Sequence, residues 1–133
     1  LCIINVVGLT PQLLQHAPHI AALGEASPFR SPLPAVTCTS QATMLTGLMP
    51  KDHGIVGNGW YYRETQEIRF WQQASSLVTG ERFYEGHQTA KLFWWFNQSA
   101  PVQWSATPKP HYGSDGSKVF DIIDDTGCEL QSK

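Results

Sequence analysis

Residues 37–40, with the sequence Thr-Cys-Thr-Ser, place three hydroxyl groups and one thiol directly after an extended segment that prolines delimit. Helical composition in the residues that follow, and a stop at Gly47, predict a helix over Thr39–Leu48. The first N–H groups of a helix have no partner within it and suit an anion. A hydroxyl at this position is therefore placed to attack a bound anionic group.

A longer pattern surrounds these hydroxyl residues. Pro-x-x-Thr-Cys-Thr at 34–39 is followed by Leu-Thr-Gly at 45–47 and by Pro-x-x-His-Gly-Ile-Val-x-Asn at 50–58. This order resembles the nucleophile region of the alkaline phosphatase superfamily, and most closely its branch of type I phosphodiesterases and nucleotide pyrophosphatases. The similarity is dense over residues 34–58 and weaker from the first apolar run to Asp115-Gly116.

The resemblance implies roles for two residues. Thr37 would attack phosphorus while it coordinates one of two zinc ions, and Asn58 would hold a non-bridging phosphoryl oxygen. The implied reaction is metal-dependent hydrolysis of phosphodiester or pyrophosphate bonds in nucleotide-like substrates, through a phosphothreonine intermediate. Many threonines only cap helices. The spacing from Thr37 to the two later motifs favours the nucleophile, because capping does not require that spacing.

Zinc activation also fits the chemistry of a hydroxyl nucleophile, which is weak near neutral pH without a base or a metal. The resemblance places a metal-binding aspartate at the end of the first apolar run, where this chain has Val7. Valine cannot ligate zinc, so Asn5, Thr10 or a later residue would have to substitute, or one metal site is weakened. The alternative for Asn5 is a strand asparagine whose amide bonds to the backbone.

Three other functions compete with this one. A sulfatase would carry a cysteine where the frame puts Thr37 and an arginine where it puts Gln41, so sulfatase chemistry is disfavoured. A cysteine enzyme would use Cys38, but no histidine is placed beside it by the sequence. A non-catalytic fragment, or a degenerate family member, would bind phosphorylated ligands without hydrolysing them.

The pattern of predicted helices and strands around these residues indicates an α/β fold with a mainly parallel sheet flanked by helices. This fold would be similar to that of alkaline phosphatase, with part of the domain missing from the chain. The apolar run Leu1–Val7 predicts a strand buried on both faces. Pro18 divides the next helical pattern into a short helix, Pro11–His16, and a second turn that ends at Gly24. Because the chain begins inside an apolar run and the similar family members are longer, residues 1–133 are expected to be the N-terminal part of a catalytic domain that is inactive alone.

The second half of the chain predicts further strands and one helix. Asn58-Gly59 resembles a tight turn that joins Ile55-Val56 to residues 60–62 in a hairpin, with its flanking glycines free to adopt positive φ. Helical spacing over Glu67–Val78 predicts a helix, and residues 89–96 predict a strand rich in aromatic residues. The remaining predictions are a short strand at Val102–Ala106 and a loop or frayed helix around Asp121, Asp124 and Asp125.

Composition limits the class of partner. The chain is 41% apolar, carries a net charge of −2 and has no basic cluster, which favours a folded domain that binds small phosphorylated molecules, with a nucleotide as one option, rather than nucleic acid or a membrane surface. An odd number of cysteines, three, and the lack of a signal-peptide pattern favour reduced thiols and a cytoplasmic location. His53 is expected to be a structural turn histidine, and the tryptophans at 71, 94 and 95 are expected to pack in the core rather than bind a base.

Overall fold

The computed structural model describes residues 1–112 and 118–124. The chain divides into two compact units, Leu1–Arg30 and Ser31–Lys133. Asn5 and Val7 belong to the first unit, and Thr37 and Asn58 belong to the second. Each unit is described by itself.

The first unit contains a 3-10 helix, Leu13–His16, and one α-helical turn, α1, Pro18–Ala21. The predicted break at Pro18 is confirmed, and Pro18 occupies the first position of α1. The predicted strand over Leu1–Val7 is wrong: these residues form no strand, and Leu1, Ile4 and Val7 are exposed. A strand buried on both faces needs neighbours for its backbone hydrogen bonds, and the described residues of this unit form no other strand.

The second unit begins with two helices, α2, Thr37–Thr46, and α3, Pro50–His53. Helix α2 ends at Thr46, two residues before the predicted end at Leu48, but Gly47 is confirmed as the residue that stops it: Gly47 takes a left-handed conformation and its N–H donates to the Thr43 carbonyl at 2.8 Å. Helix α2 begins two residues before the predicted start at Thr39, because none of the local hydroxyl residues caps it. Among the described residues, no helix is both long and apolar enough to cross a bilayer.

A two-stranded antiparallel hairpin follows, made of β1, Gly59–Tyr62, and β2, Glu67–Phe70. The predicted helix over Glu67–Val78 is therefore wrong; its second half contains only a 3-10 helix, Ser75–Leu77. The register pairs Gly59 with Phe70, and the hydrogen bonds of this pairing override the local helical spacing.

The expected Asn58-Gly59 turn is also wrong, because Gly59 already belongs to a strand. Neither Gly57 nor Gly59 has a positive φ. A Cβ at Gly59 would lie 2.5 Å from the Phe70 ring and 3.2 Å from the Arg69 carbonyl oxygen. This glycine therefore permits a close approach between strands rather than a left-handed turn.

A three-stranded sheet has the order β3-β4-β5, with β3 at Ala90–Leu92, β4 at Trp104–Tyr112 and β5 at Lys118–Asp124. The β3–β4 pair is parallel and the β4–β5 pair is antiparallel. The class α/β stands, but the described sheets are not mainly parallel, since the hairpin is antiparallel as well. Parallel pairs need long crossovers, whereas a hairpin and a short return satisfy these strands locally.

The strand predicted for residues 89–96 ends at Leu92. After it, the N–H of Phe93 donates to the Ala106 carbonyl at 2.7 Å, and Phe93 itself turns away with a φ of 62°. The short strand predicted at Val102–Ala106 is confirmed as the beginning of the longer β4. The loop or frayed helix predicted around Asp121 and Asp124 is wrong, because pairing with β4 makes this segment a strand. Asp125 and Asp115-Gly116 lie outside the described residues.

The core is built on one face of α2. Cys38, Ala42 and Leu45, spaced four and three residues apart, pack with the buried side chains of Ile55, Val78, Tyr84 and Phe96. Trp71, Trp94 and Trp95 pack partly buried against this cluster, which agrees with the expected core role of these tryptophans. The helix that carries Thr37 is therefore anchored by its apolar face.

Gly47 provides a test of this arrangement. A Cβ at Gly47 would meet no atom within 4 Å, so the cost of Gly47→Ala comes from its φ of 71° rather than from a clash. We expect Gly47→Ala to lower the free energy of unfolding by about 1 kcal/mol, and Gly47→Asn by less, because asparagine tolerates the left-handed region. Urea denaturation measures both values; equal losses, or none, would contradict this account of the end of α2.

Candidate functional site

Thr37 is the first residue of α2. The preceding residue, Val36, is extended (φ −117°, ψ 161°), and its N–H donates to the Pro34 carbonyl at 2.9 Å. The N–H of Ser40 makes the first bond back along the helix, to the Val36 carbonyl at 2.9 Å. Thr37, which is half-buried, therefore lies at the amino end of a ten-residue helix.

Asn58 caps this helix from a distance of twenty residues. The N–H of Cys38 donates to the Asn58 Oδ1 at 3.0 Å, in place of the local side-chain cap that Val36 cannot provide. The main chain of Asn58 is also held, since the N–H of Trp71 donates to its carbonyl at 2.9 Å. The structure therefore brings Asn58 next to Thr37, the two residues that the sequence singled out.

This contact fixes the orientation of the Asn58 carboxamide. Its Oδ1 must face the helix because a backbone N–H can bond only to the oxygen, so its Nδ2 is the group left to donate elsewhere. In the part of the chain that the structure describes, this Nδ2 and the N–H groups of Thr37 and Thr39 have no acceptor. Donors of this kind at the positive end of a helix dipole suit the oxygens of a phosphoryl group.

His53 is buried and serves the fold. Its Nδ1 accepts the Ile55 N–H at 3.1 Å, and its Nε2 lies 2.9 Å from the Thr43 Oγ1. Since Nδ1 is an acceptor, the proton is on Nε2 and the ring is neutral. Burial lowers the pKa of His53 more than its backbone bond and the nearby Asp52 raise it. This geometry agrees with the structural role expected for His53 and gives it no contact with Thr37.

Cys38 is also unsuited to nucleophilic chemistry. Its side chain is fully buried in the core cluster, and this burial raises the pKa of the thiol to about 11. A thiol with this pKa is almost wholly protonated near neutral pH, whereas the thiolate is the reactive form. The cysteine-enzyme alternative therefore has no support at this site.

The candidate metal ligands of the first unit are not arranged as a site within it. Asn5 and Thr10 are exposed, and Asn5 is not in a strand. No group of three or more His, Cys, Asp and Glu side chains suited to a metal ion occurs among the residues that the structure describes. The assignment of Asn5 as a ligand stays a prediction.

Gln41 is a residue of this region whose role was not predicted from the sequence. It lies four residues after Thr37 in α2, is only 7% exposed, and its Oε1 accepts the Trp95 N–H at 2.9 Å. A glutamine one helical turn after Thr37 is a local signal, but its partner is fifty-four residues away and has no sequence signature.

Comparison with known proteins gives one result. A family model described as type I phosphodiesterase / nucleotide pyrophosphatase matches residues 1–127. The match spans both compact units and includes Thr37 and Asn58. No curated protein and no solved structure matches the chain.

The neutral state of His53 predicts how stability depends on pH. A folded pKa below the unfolded value of 6.5 gives stability that is present above pH 6.5 and is lost as pH falls through the folded pKa. We therefore expect the free energy of unfolding to decrease from pH 7 to pH 5, and His53→Gln to weaken that dependence. Urea denaturation across this range measures it, with His87→Gln, at an exposed histidine, as the matched control. An unchanged slope in His53→Gln would refute the assignment.

Proposed function

This chain belongs to the type I phosphodiesterase and nucleotide pyrophosphatase family, and we propose that the full-length protein hydrolyses phosphodiester or pyrophosphate bonds through a phosphothreonine on Thr37. The family supports this activity in general terms. The choice of Thr37 as the nucleophile and the covalent phosphothreonine intermediate go beyond that general activity. The substrate that we propose is a small phosphorylated molecule, such as a nucleotide.

One observation supports the proposal most strongly: the Asn58 carboxamide is held against the Cys38 N–H, directly beside Thr37. A helix cap alone does not need an asparagine from a separate hairpin. This arrangement turns the Asn58 Nδ2 and the first N–H groups of α2 into a set of fixed donors. Such donors stabilise charge that grows on non-bridging oxygens in the transition state, and losing one typically costs about 100-fold to 1,000-fold in rate.

The proposed reaction has two displacements at phosphorus. The Thr37 Oγ forms a bond to phosphorus as the bond to the leaving oxygen breaks, and the hydroxyl proton passes, directly or through solvent, to the leaving oxygen. Water then attacks phosphorus, the bond to Oγ breaks, and one proton of the water passes to the threonine oxygen. The residues beside Thr37 orient the phosphoryl group and stabilise its equatorial oxygens in both steps.

Zinc is part of the proposal only through the resemblance, which implies two ions. The described residues beside Thr37 do not form such a site, because they offer one hydroxyl and an amide oxygen that already accepts the Cys38 N–H. Zinc sites in enzymes use at least three His, Cys, Asp or Glu ligands. Any zinc would therefore need ligands from other residues, and none of the steps above is assigned to it.

A second function has its own support. Val7 stands where the resemblance expects a metal-binding aspartate, which favours a degenerate member that binds phosphorylated ligands without hydrolysing them. The two functions differ in metal content. We expect metal analysis of the full-length protein to find two zinc ions per chain if it is an enzyme of the proposed kind, and none if it is a binder.

The nucleophile can be tested directly. We expect Thr37→Ala to abolish phosphodiester turnover in the full-length protein without unfolding it, because the half-buried side chain loses only its hydroxyl and one methyl group. Hydrolysis of bis(4-nitrophenyl) phosphate measures turnover, and thermal unfolding measures folding.

Two variants serve as controls for Thr37→Ala. Thr37→Ser keeps the hydroxyl and should retain measurable turnover. Ser40→Ala removes a hydroxyl from the same helix, where it bonds to Ser31 at 2.8 Å, and should leave turnover near its original value. Turnover that survives in Thr37→Ala would remove Thr37 from the mechanism.

A further inference from the structure

We propose that Gln41 is a positioning residue that fixes the Asn58 carboxamide for the reaction at Thr37. The inference rests on the proposed function. It assigns a role in the reaction to a residue that would not touch the substrate. Four contacts, each within the second unit, support it.

The first contact joins Gln41 to a loop that follows β3. Residues four apart lie on one face of a helix, so Gln41 is one turn below Thr37 on the same side of α2. Its buried Oε1 accepts the Trp95 N–H at 2.9 Å. The helix that carries the nucleophile is therefore attached to the loop that carries Trp95.

The next contacts lead from Trp95 to Asn58. The rings of Trp95 and Trp71 have their centroids 5.1 Å apart, with an angle of 34° between planes. The N–H of Trp71 donates to the Asn58 carbonyl at 2.9 Å, and the Asn58 Oδ1 accepts the Cys38 N–H at 3.0 Å. These contacts therefore connect two residues of α2, Gln41 and Cys38, through Trp95, Trp71 and Asn58.

Among these contacts, the backbone of Trp71 has a constrained conformation. Its φ is 56°, a left-handed value that is uncommon for a bulky side chain and persists where the surroundings enforce it. Trp71 is also the residue whose N–H holds the main-chain carbonyl of Asn58. A shift of Trp95 would therefore be passed to Trp71 and from there to the carboxamide.

The loop that carries Trp95 is also bonded to a second glutamine, Gln73, which serves as a matched comparison for Gln41. The N–H of Phe96 donates to the Gln73 Oε1 at 3.1 Å, while the Lys91 Nζ donates to the carbonyls of Trp95 and Phe96 at 2.9 and 2.8 Å. Gln41 and Gln73 thus accept from neighbouring N–H groups of one loop. Of these two glutamines, Gln41 lies on the helix of Thr37 and Gln73 does not.

Gln41→Met tests the inference in the full-length protein, because methionine has a similar size but no comparable acceptor for the Trp95 N–H. Displacement of a catalytic donor impairs the transition state more than substrate binding, so we expect kcat to fall about tenfold while KM stays within about twofold. Gln73→Met should lower the temperature of unfolding without a comparable loss of kcat. Gln41→Glu, which keeps an acceptor, should recover most of the lost kcat.

A double-mutant cycle identifies the residue through which Gln41 acts. In an Asn58→Ala background, Gln41→Met should cause no further loss of kcat, because the donor that it positions is already gone. Losses that multiply, a change in KM alone, or an equal loss in Gln73→Met would overturn the inference. If Gln41→Met does not fold, Gln41→Asn, whose shorter side chain weakens the bond, replaces it in the same cycle.

Hydrogen exchange gives a readout that does not depend on activity. The Cys38 amide is protected by the Asn58 Oδ1, so its exchange should be faster in Gln41→Met and unchanged in Gln73→Met. Unchanged exchange in both variants would also overturn the inference. Full turnover in Asn58→Ala would instead count against the proposed function, whatever the exchange data show.

Discussion

The hydrogen bond from the Cys38 N–H to the Asn58 Oδ1 is the interaction on which the site depends. Helix α2 starts after Val36, a residue with no polar side chain, so the helix has no local cap. Starting a helix is costly, and its first N–H groups require partners when water is excluded. Asn58 supplies one of these partners from the base of the β1–β2 hairpin. The start of the helix and the place of the carboxamide are therefore set together.

How far the sequence predicted this region depends on the range of the interactions involved. The end of α2 was predictable because Gly47 and Pro50 act through their own backbone preferences. Thr37 and Asn58 were found through the spacing of a family pattern, not through physics that can be read locally. The start of α2 was misplaced by two residues because the capping group is twenty residues away.

The larger errors have the same origin. Helical spacing over residues 67–78 was real as a pattern, but pairing of Gly59 with Phe70 and of Tyr62 with Glu67 gives β2 a partner that a local reading cannot see. Leu1–Val7 shows the converse: an apolar run has the composition of a strand, yet becomes one only beside another strand. The strand predicted for residues 89–96 stops at Leu92, because glutamine and lysine side chains then take over the backbone hydrogen bonds of residues 95 and 96.

The groups described beside Thr37 share one electrostatic property, which is that they are neutral. The Cys38 thiol is protonated, and Asn58 offers an amide. Neutral dipoles that are already oriented stabilise a growing negative charge without the desolvation cost of a buried cation. They do not remove a proton from a hydroxyl. In the proposed reaction, the amino end of α2 and Asn58 therefore stabilise the phosphoryl oxygens, while activation of Thr37 is the task of other groups.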